Sequence, residues 1–477
     1  MKVWLDGQCF QTASRQRGIG RYALELIRAI VENYPKIELH ISFNAQLPME
    51  AISARDVLSN YIPSRNIHVW NGVVEHGEGI VGLTPARRLS EIALIHHVNC
   101  LEPDVALSLS IFEGNVDYAV PLLPSEDLNA PIVGIFYDAI PWHFKSEYLK
   151  SDNSRNYYHR RLNACGDFDE LLCISQFSVD DVVKLVGNVS ATNILADISK
   201  DFTSPPGGRQ HVDLGNDDPF ILYVGGLDWR KNVKIIPESF AKLPKHLRDK
   251  LNFVIVGDNE KQLVDEIVKL WVRCGLDKSK FQSVGYVTEG QLLDLYKRAA
   301  LVVQPSLMEG FGLTILEALV CGTPVIASNT GAMPEVLGID RLLFDPTSSS
   351  DIANTMTNIL EDKELRRFVK TRGLKAKKIF TWQATASKTV GVLRRAVIDK
   401  KFAKQTLDEL RANIAPRVKF MPINKKIVSQ ILSISEPELR SGRRLILDVS
   451  CTIISPANTG IQRVVRRIAR EISEVAK

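Results

Sequence analysis

Cysteine is scarce and scattered. The seven residues (Cys9, Cys100, Cys165, Cys173, Cys274, Cys321, Cys451) are odd in number and never spaced C-x-x-C. This spacing argues against a disulfide framework and a zinc site, and it suggests a reducing compartment. Long apolar runs are also missing: no stretch of 18 apolar residues occurs, and the sequence opens on a strand-like VWLD rather than a basic then apolar leader. Membrane spanning and secretion are therefore not expected, and any membrane contact would be peripheral. Nor does one sign of charge dominate. The 60 Lys+Arg and 55 Asp+Glu of 477 residues leave +5, too little to require a polyanionic partner, so nucleic acid is not implied. The absence of any G-x4-G-K-[ST] run removes the commonest ATPase reading.

What is present is ordinary globular material, 45% hydrophobic and 24% charged, enough for two large domains and a remnant. Short β-branched runs alternate with longer amphipathic stretches, the pattern of parallel strands joined by helices. The strands come in two sets: Val3–Asp6, Glu38–Ser42, Ile67–Asn71, Asp104–Leu109, Ile132–Asp138 and Leu171–Ser175, then Phe220–Gly225, Asn252–Gly257, Phe281–Gly285, Leu301–Ser306, Pro324–Ser328 and Leu342–Asp345. Between the sets, Thr203–Pro219 is rich in Pro, Gly and Asp and reads as a linker. The expected fold is α/β, with two doubly wound, Rossmann-like domains facing across a cleft. After Asp345 the chain reads as helix to about Ile398. From Arg394 to Lys426, ten Lys+Arg against three acids give a local +7. This is read as a solvated connector, with contact to anionic lipid head groups as the alternative.

The end of the chain repeats its beginning. VWLDGQCFQTASRQRGIGRYALELIRAI and LILDVSCTIISPANTGIQRVVRRIAREI align at an offset of 442, placing Asp6 on Asp448, Cys9 on Cys451, Gly18 on Gly460 and Arg21 on Arg463. Equal Asp-to-Gly spacing plus G-I-x-R favours duplication over a chance βα unit. The expected organisation is a first domain at 1–203, a second at 204–383, a helix crossing back at 384–400, a basic linker at 401–440 and the start of a truncated second module at 441–477. The sequence then reads as a piece of a longer tandem protein.

Two segments of the second domain carry chemistry. In LVVQPSLMEGFGLTILEALVCGTPVIAS (301–328) a strand leads through a loop into a helix opening near Gly312 and ending at Gly322. Gly310 and Gly312 permit close backbone approach, and the following amides favour an anion. Glu309 and Glu317 would repel that anion unless they address sugar or ribose hydroxyls. In FILYVGGLDWRKNV (220–233) a strand ends at Gly225–Gly226, and Arg230–Lys231 supply the counter-charge for a departing diphosphate. Each such group is worth roughly 2.7–4 kcal/mol of barrier.

Together, EGFGLTILE, GG-x3-RKN, the SNTGAMPEV turn near Gly331 and the GIGRYALEL opening resemble the GT-B retaining glycosyltransferases of family 4. The resemblance covers about residues 2–398. YDAIP at 137–141 and the restart look most like the tandem bacterial enzymes that build polymannose O-antigen chains. By that resemblance, Arg230 and Lys231 bind the donor diphosphate, Glu309 faces the transferred sugar and Glu317 the ribose. Phe311, Gly312, Leu313 and Thr314 hold sugar and phosphate, Gly226 lines the donor loop, and Gly18 and Gly20 form the first-domain glycine loop. Asp138 is the acidic member of a frequent His–Asp pair. Tyr137 stands where that His is usual; His143 follows six residues later, and Gln462 replaces the second glycine in the restart.

The implied reaction is front-face transfer, with the departing diphosphate oxygen helping to deprotonate the acceptor and Glu309 stabilising charge at the anomeric centre. The expected function is transfer of mannose from GDP-mannose, without a metal or other cofactor, to a lipid-linked cell-surface polysaccharide. A UDP-hexose donor is the alternative within the class, and an inactive glycan-binding module the alternative outside it. Expected partners are the nucleotide sugar, the lipid-linked glycan, an anionic membrane surface and other polysaccharide-assembly proteins. The expected location is cytoplasmic, with a peripheral place on the inner face of the inner membrane. Asp167-Phe-Asp169 has a metal-site form but reads as a solvated loop. Adjacent His96 and His97 face different sides of a helix, and Ser175 and Ser178 read as helix caps.

Overall fold

A computed structural model describes residues 1–198, 202, 205, 207–257 and 260–399. All belong to the first of two units, Met1–Glu436 and Pro437–Lys477. The expected basic linker and second-module start, with Asp448, Cys451, Gly460, Gln462 and Arg463, lie outside the described residues.

The first sheet holds seven parallel strands: β1 (Lys2–Asp6), β2 (Glu38–Asn44), β3 (Ile67–Trp70), β4 (Val105–Ser108), β5 (Ile132–Phe136), β6 (Glu170–Cys173) and β7 (Ala191–Asn193), ordered β3-β2-β1-β4-β5-β6-β7. The second holds six: β8 (Phe220–Val224), β9 (Asn252–Val256), β10 (Phe281–Gly285), β11 (Leu301–Gln304), β12 (Val325–Ser328) and β13 (Leu343–Phe344), ordered β10-β9-β8-β11-β12-β13. Parallel pairing requires a crossover between neighbours, and helices on both faces bury the strands. Hence β4, β5, β8, β9, β11 and β12 are almost wholly apolar and buried, and β1 buries Val3, Trp4 and Leu5 between Lys2 and Asp6. The first connecting helix, Gly18–Asn33, buries Ala23, Leu26, Ile27 and Ile30 at helical spacing.

Each sheet reverses its strand order once, between β1 and β4 and between β8 and β11. At such a switch point the following loops diverge and leave a crevice at the carboxyl ends of the strands. The loops that the sequence marks as chemical follow these strands: 7–17 after β1, 225–232 after β8 and 305–312 after β11.

From Arg209 the chain is stitched to the second lobe: Arg209 Nε and Val212 N donate to Asp294 at 2.7 and 3.2 Å, and Val212 and Leu214 are buried. The last described helix, Trp382–Asp399, packs back on Gly18–Asn33 and β4–β6. Its first residue is anchored, with Trp382 Nε1 donating to Ile198 O at 2.9 Å and Trp382 N to Asp197 Oδ2 at 3.2 Å.

Candidate active site

Below β8 the backbone turns sharply. Gly225 takes φ +143°, outside the range of a side-chain-bearing residue, and Tyr223 Oη donates to Gly226 O at 2.5 Å. A single 3-10 turn, Trp229–Lys231, follows and ends at Asn232, held at φ +56°. Asn232 Nδ2 donates to Pro305 O (3.1 Å) and Pro346 O (2.7 Å), while Leu307 N donates to Arg230 O (2.8 Å). The turn after β8 and the loop after β11 are therefore one tied unit.

That unit brings three of the named charges together. Lys231 Nζ lies 2.7 Å from Glu309 Oε1 and Arg230 Nη1 3.0 Å from Glu309 Oε2, and Arg230 also donates to Met308 O at 2.6 Å. Gln304 Nε2 donates to Glu309 at 3.3 Å. Burial works against the charge of Glu309, but Lys231 and Arg230 outweigh it and hold its pKa at about 2. Burial likewise opposes the Arg230 charge, and Glu309 with Asp228 holds that guanidinium firmly protonated. The loop rests on the SNTGAMPEV turn. Ala332 N donates to Glu309 O at 3.0 Å, and Gly331, at φ +60°, passes so close that an added Cβ would lie 2.6 Å from that oxygen.

Gly310 forms the seam between the lobes. A Cβ there would meet Tyr137 O at 2.8 Å and Asp138 at 3.0 Å, and Ser175 Oγ donates to Gly310 O at 2.8 Å. Asp138 thus adjoins the Glu309 cluster. Burial raises its pKa; Ile140 N and Arg230 oppose this, while Glu309 and Asp181 add to it. Gly312 is the left-handed entry (φ +110°) and Gly322 the left-handed exit (φ +74°) of the helix Leu313–Cys321. Leu313 and Thr314 open that helix, but the Phe311 side chain is buried against Phe380 and can offer only its backbone to a ligand.

Glu317 lies elsewhere on the same helix. It is 8% exposed, accepts from Tyr296 Oη at 2.7 Å, and burial raises its pKa against that hydrogen bond. Its charged neighbours are Arg21 and Glu289, which pair with each other across the lobes. Gly18 and Gly20 open the helix after β1; a Cβ on Gly20 would meet Arg15 O at 2.6 Å.

The Tyr137 hydroxyl, at the position where the His is usual, is spent within its own lobe, donating to Leu109 O at 3.1 Å. His143 instead sets Nε2 at 2.9 Å from both oxygens of buried Asp181. Asp181, Trp229 and Tyr148 are absent from the sequence reading, because the residues that give them meaning are distant in the chain. Asp169 is a strand tie, accepting from Ile132 N at 2.8 Å. His96 and His97 are buried, His97 against Ser42 at 2.9 Å. Ser175 caps Ser178 N at 3.0 Å. Among the described residues, no group of three or more His, Cys, Asp or Glu is placed to hold a metal ion, and no helix is long and apolar enough to cross a membrane.

Residues 209–376 match the family described as glycosyl transferases group 1. A serotype-specific mannosyltransferase WbdA of Escherichia coli is 28% identical over 99% of this chain and 58% of its own length. O-antigen chain mannosyltransferase B of E. coli is 32% identical over 37% of this chain and 45% of its own. The chain thus spans little more than half the length of the WbdA relatives it matches. Among solved structures, sucrose-phosphate synthase of Thermosynechococcus elongatus superposes with a TM-score of 0.60 at 18% identity, covering 84% of this chain and all of that one. HepE of Anabaena in complex with UDP and glucose gives 0.57 at 17%, covering 83% and all of it. The two parallel-sheet lobes thus have the GT-B fold of these solved structures, and residues 209–376 of the second lobe match the group 1 glycosyl transferase model.

Proposed function

We propose that this chain transfers mannose from GDP-mannose, with retention and without a metal, to a growing lipid-linked polysaccharide of the O-antigen type. The carrying observation is the cluster Arg230–Lys231–Glu309 set against Asp138 of the other lobe. The E. coli serotype-specific mannosyltransferase aligned over nearly the whole chain supports the choice of sugar, and the E. coli O-antigen chain mannosyltransferase aligned over 37% of it supports the choice of polymer.

In this reading Arg230 and Lys231 hold the diphosphate and stabilise the charge that grows on it as the sugar leaves. The opening amides of Leu313 and Thr314, with backbone at Gly18, Gly20, Gly226, Phe311 and Gly312, complete the anion site. Glu317 takes the ribose hydroxyls, and Glu309 positions the hexose and opposes positive charge at its anomeric carbon. No protein nucleophile is required: the departing phosphate oxygen accepts the acceptor hydroxyl's proton on the face from which the sugar leaves.

Lys231→Ala and Glu309→Ala are each expected to lower transfer by 10²-fold or more, about 2.7 kcal/mol, with an unchanged circular dichroism spectrum. Undiminished turnover in either would remove the assignment. Calorimetry with a nucleotide-sugar panel tests the donor: binding of a UDP-hexose but not GDP-mannose would replace mannose transfer by the alternative donor class. Single-turnover transfer separates an enzyme from a module that only holds glycan.

A further inference from the structure

Trp229 shares one turn with Arg230 and Lys231 but serves neither Glu309 nor a core. Its ring lies across the cleft, edge-on to Phe144 of the first lobe (centroids 5.0 Å apart, 79° between planes) and tilted against Tyr148 (6.0 Å). Despite these neighbours Trp229 stays 41% exposed and Tyr148 38%. Tyr148 also adjoins the Arg230 guanidinium. A large apolar surface left open beside a polar site marks a place where something apolar on one face is meant to land.

Its position along the cleft limits what that is. The charged surroundings of Glu317 are Arg21 and Glu289, whereas those of Arg230 are Glu309, Asp228 and Tyr148. The two ends of the cleft are therefore distinct, and the aromatic group lies at the diphosphate and sugar end. Nucleotide placed toward Glu317 leaves the aromatic group for the molecule approaching the activated sugar. His143, which precedes Phe144 in the chain, is fixed through Nε2 by Asp181 and so holds the start of this segment in place. A flat π-face beside a polar site, here Tyr148 against Arg230, suits a pyranose, which has C–H groups on its faces and hydroxyls around its rim.

The geometry points to an acceptor-glycan subsite made by Trp229, Tyr148 and Phe144, which packs a sugar ring of the acceptor behind the one that reacts. It rests on the reading of the chain as a glycan-extending transferase and adds where the acceptor is gripped. Because the three rings come from both lobes, the subsite is complete only when the lobes face each other as they do here.

The test compares mannotriose with methyl mannoside as acceptors at saturating donor. In the unaltered protein mannotriose is expected to have the higher kcat/KM. In Trp229→Ala the ratio of the two is expected to fall about tenfold, chiefly through KM for mannotriose, and Trp229→Phe should restore most of it. An unchanged ratio, with both acceptors slowed alike, would overturn the proposal and leave Trp229 as lobe packing. A second readout needs no donor. Tryptophan fluorescence titrated with millimolar mannotriose should respond in the unaltered protein and lose that response in Trp229→Phe; no response, or one that persists in Trp229→Phe, overturns the subsite even where transfer is measurable. A response with no turnover from any nucleotide sugar would keep the subsite while the donor reading failed.

Discussion

Glu309 shows how a single side chain can be read in two ways. Its pKa of about 2 lies below the ordinary 4.5, so the unfolded chain takes up a proton at higher pH than the folded one. The stability it contributes is complete above about pH 5 and is lost as the pH falls through 4.5 toward 2, on the order of 3 kcal/mol in all. Glu309→Gln is therefore expected to be less stable than the unaltered protein near neutrality, by denaturant unfolding, and the gap should narrow from pH 5 to pH 3. A gap independent of pH would mean that the pair with Arg230 and Lys231 does not hold in solution. The residue types were legible in the sequence because EGFG and WRKN are local words. That Asn232 ties the two words together, or that His143 meets Asp181, was not legible: each bond joins segments dozens of residues apart, and no periodicity reports it. Phe311 makes the same point in reverse, since a residue that the sequence assigns to ligand binding buries its ring in the core.

Elements were legible where their physics is local. The helix Leu313–Cys321 lies between two glycines that both take left-handed backbone, and the sequence places its ends there. Eleven strands longer than three residues appear close to their expected bounds, and so does the short β13. The strand that escapes notice is β7, three half-buried residues, Ala191–Asn193, with no apolar alternation to announce them. Gly331 is the element-scale test. A side chain there meets both a left-handed φ and the backbone of Glu309, so Gly331→Ala should cost about 1–2 kcal/mol in unfolding free energy. It should also reduce transfer out of proportion to that loss, because the Glu309 loop is displaced. Retained activity at reduced stability would show that the loop adapts without moving the carboxylate.

At the scale of the molecule, two strand sets and a returning helix were readable, as was the cleft that follows from strand order. What fastens the lobes was not. Glu335 of the second lobe accepts from Gln176 N and Phe177 N at the start of the helix Gln176–Val186 of the first, at 2.9 to 3.2 Å. A carboxylate at a helix N-terminus contributes about 1 kcal/mol, so Glu335→Ala should lower the unfolding free energy by that amount. Small-angle scattering should show a larger radius of gyration as the lobes separate; an unchanged radius would mean that the remaining contacts across the cleft, at Gly310, Arg21–Glu289 and Trp229, suffice without Glu335. The first lobe's sheet and helices run to Ile198 and the chain returns to that lobe at Trp382, where Trp382 touches both Asp197 and Ile198. The second lobe is thus a continuous insert whose points of departure and return adjoin, so that exchanging it for a relative's would need only two neighbouring splices, one at Ile198 and one at Trp382, and would leave the winding of the first lobe undisturbed.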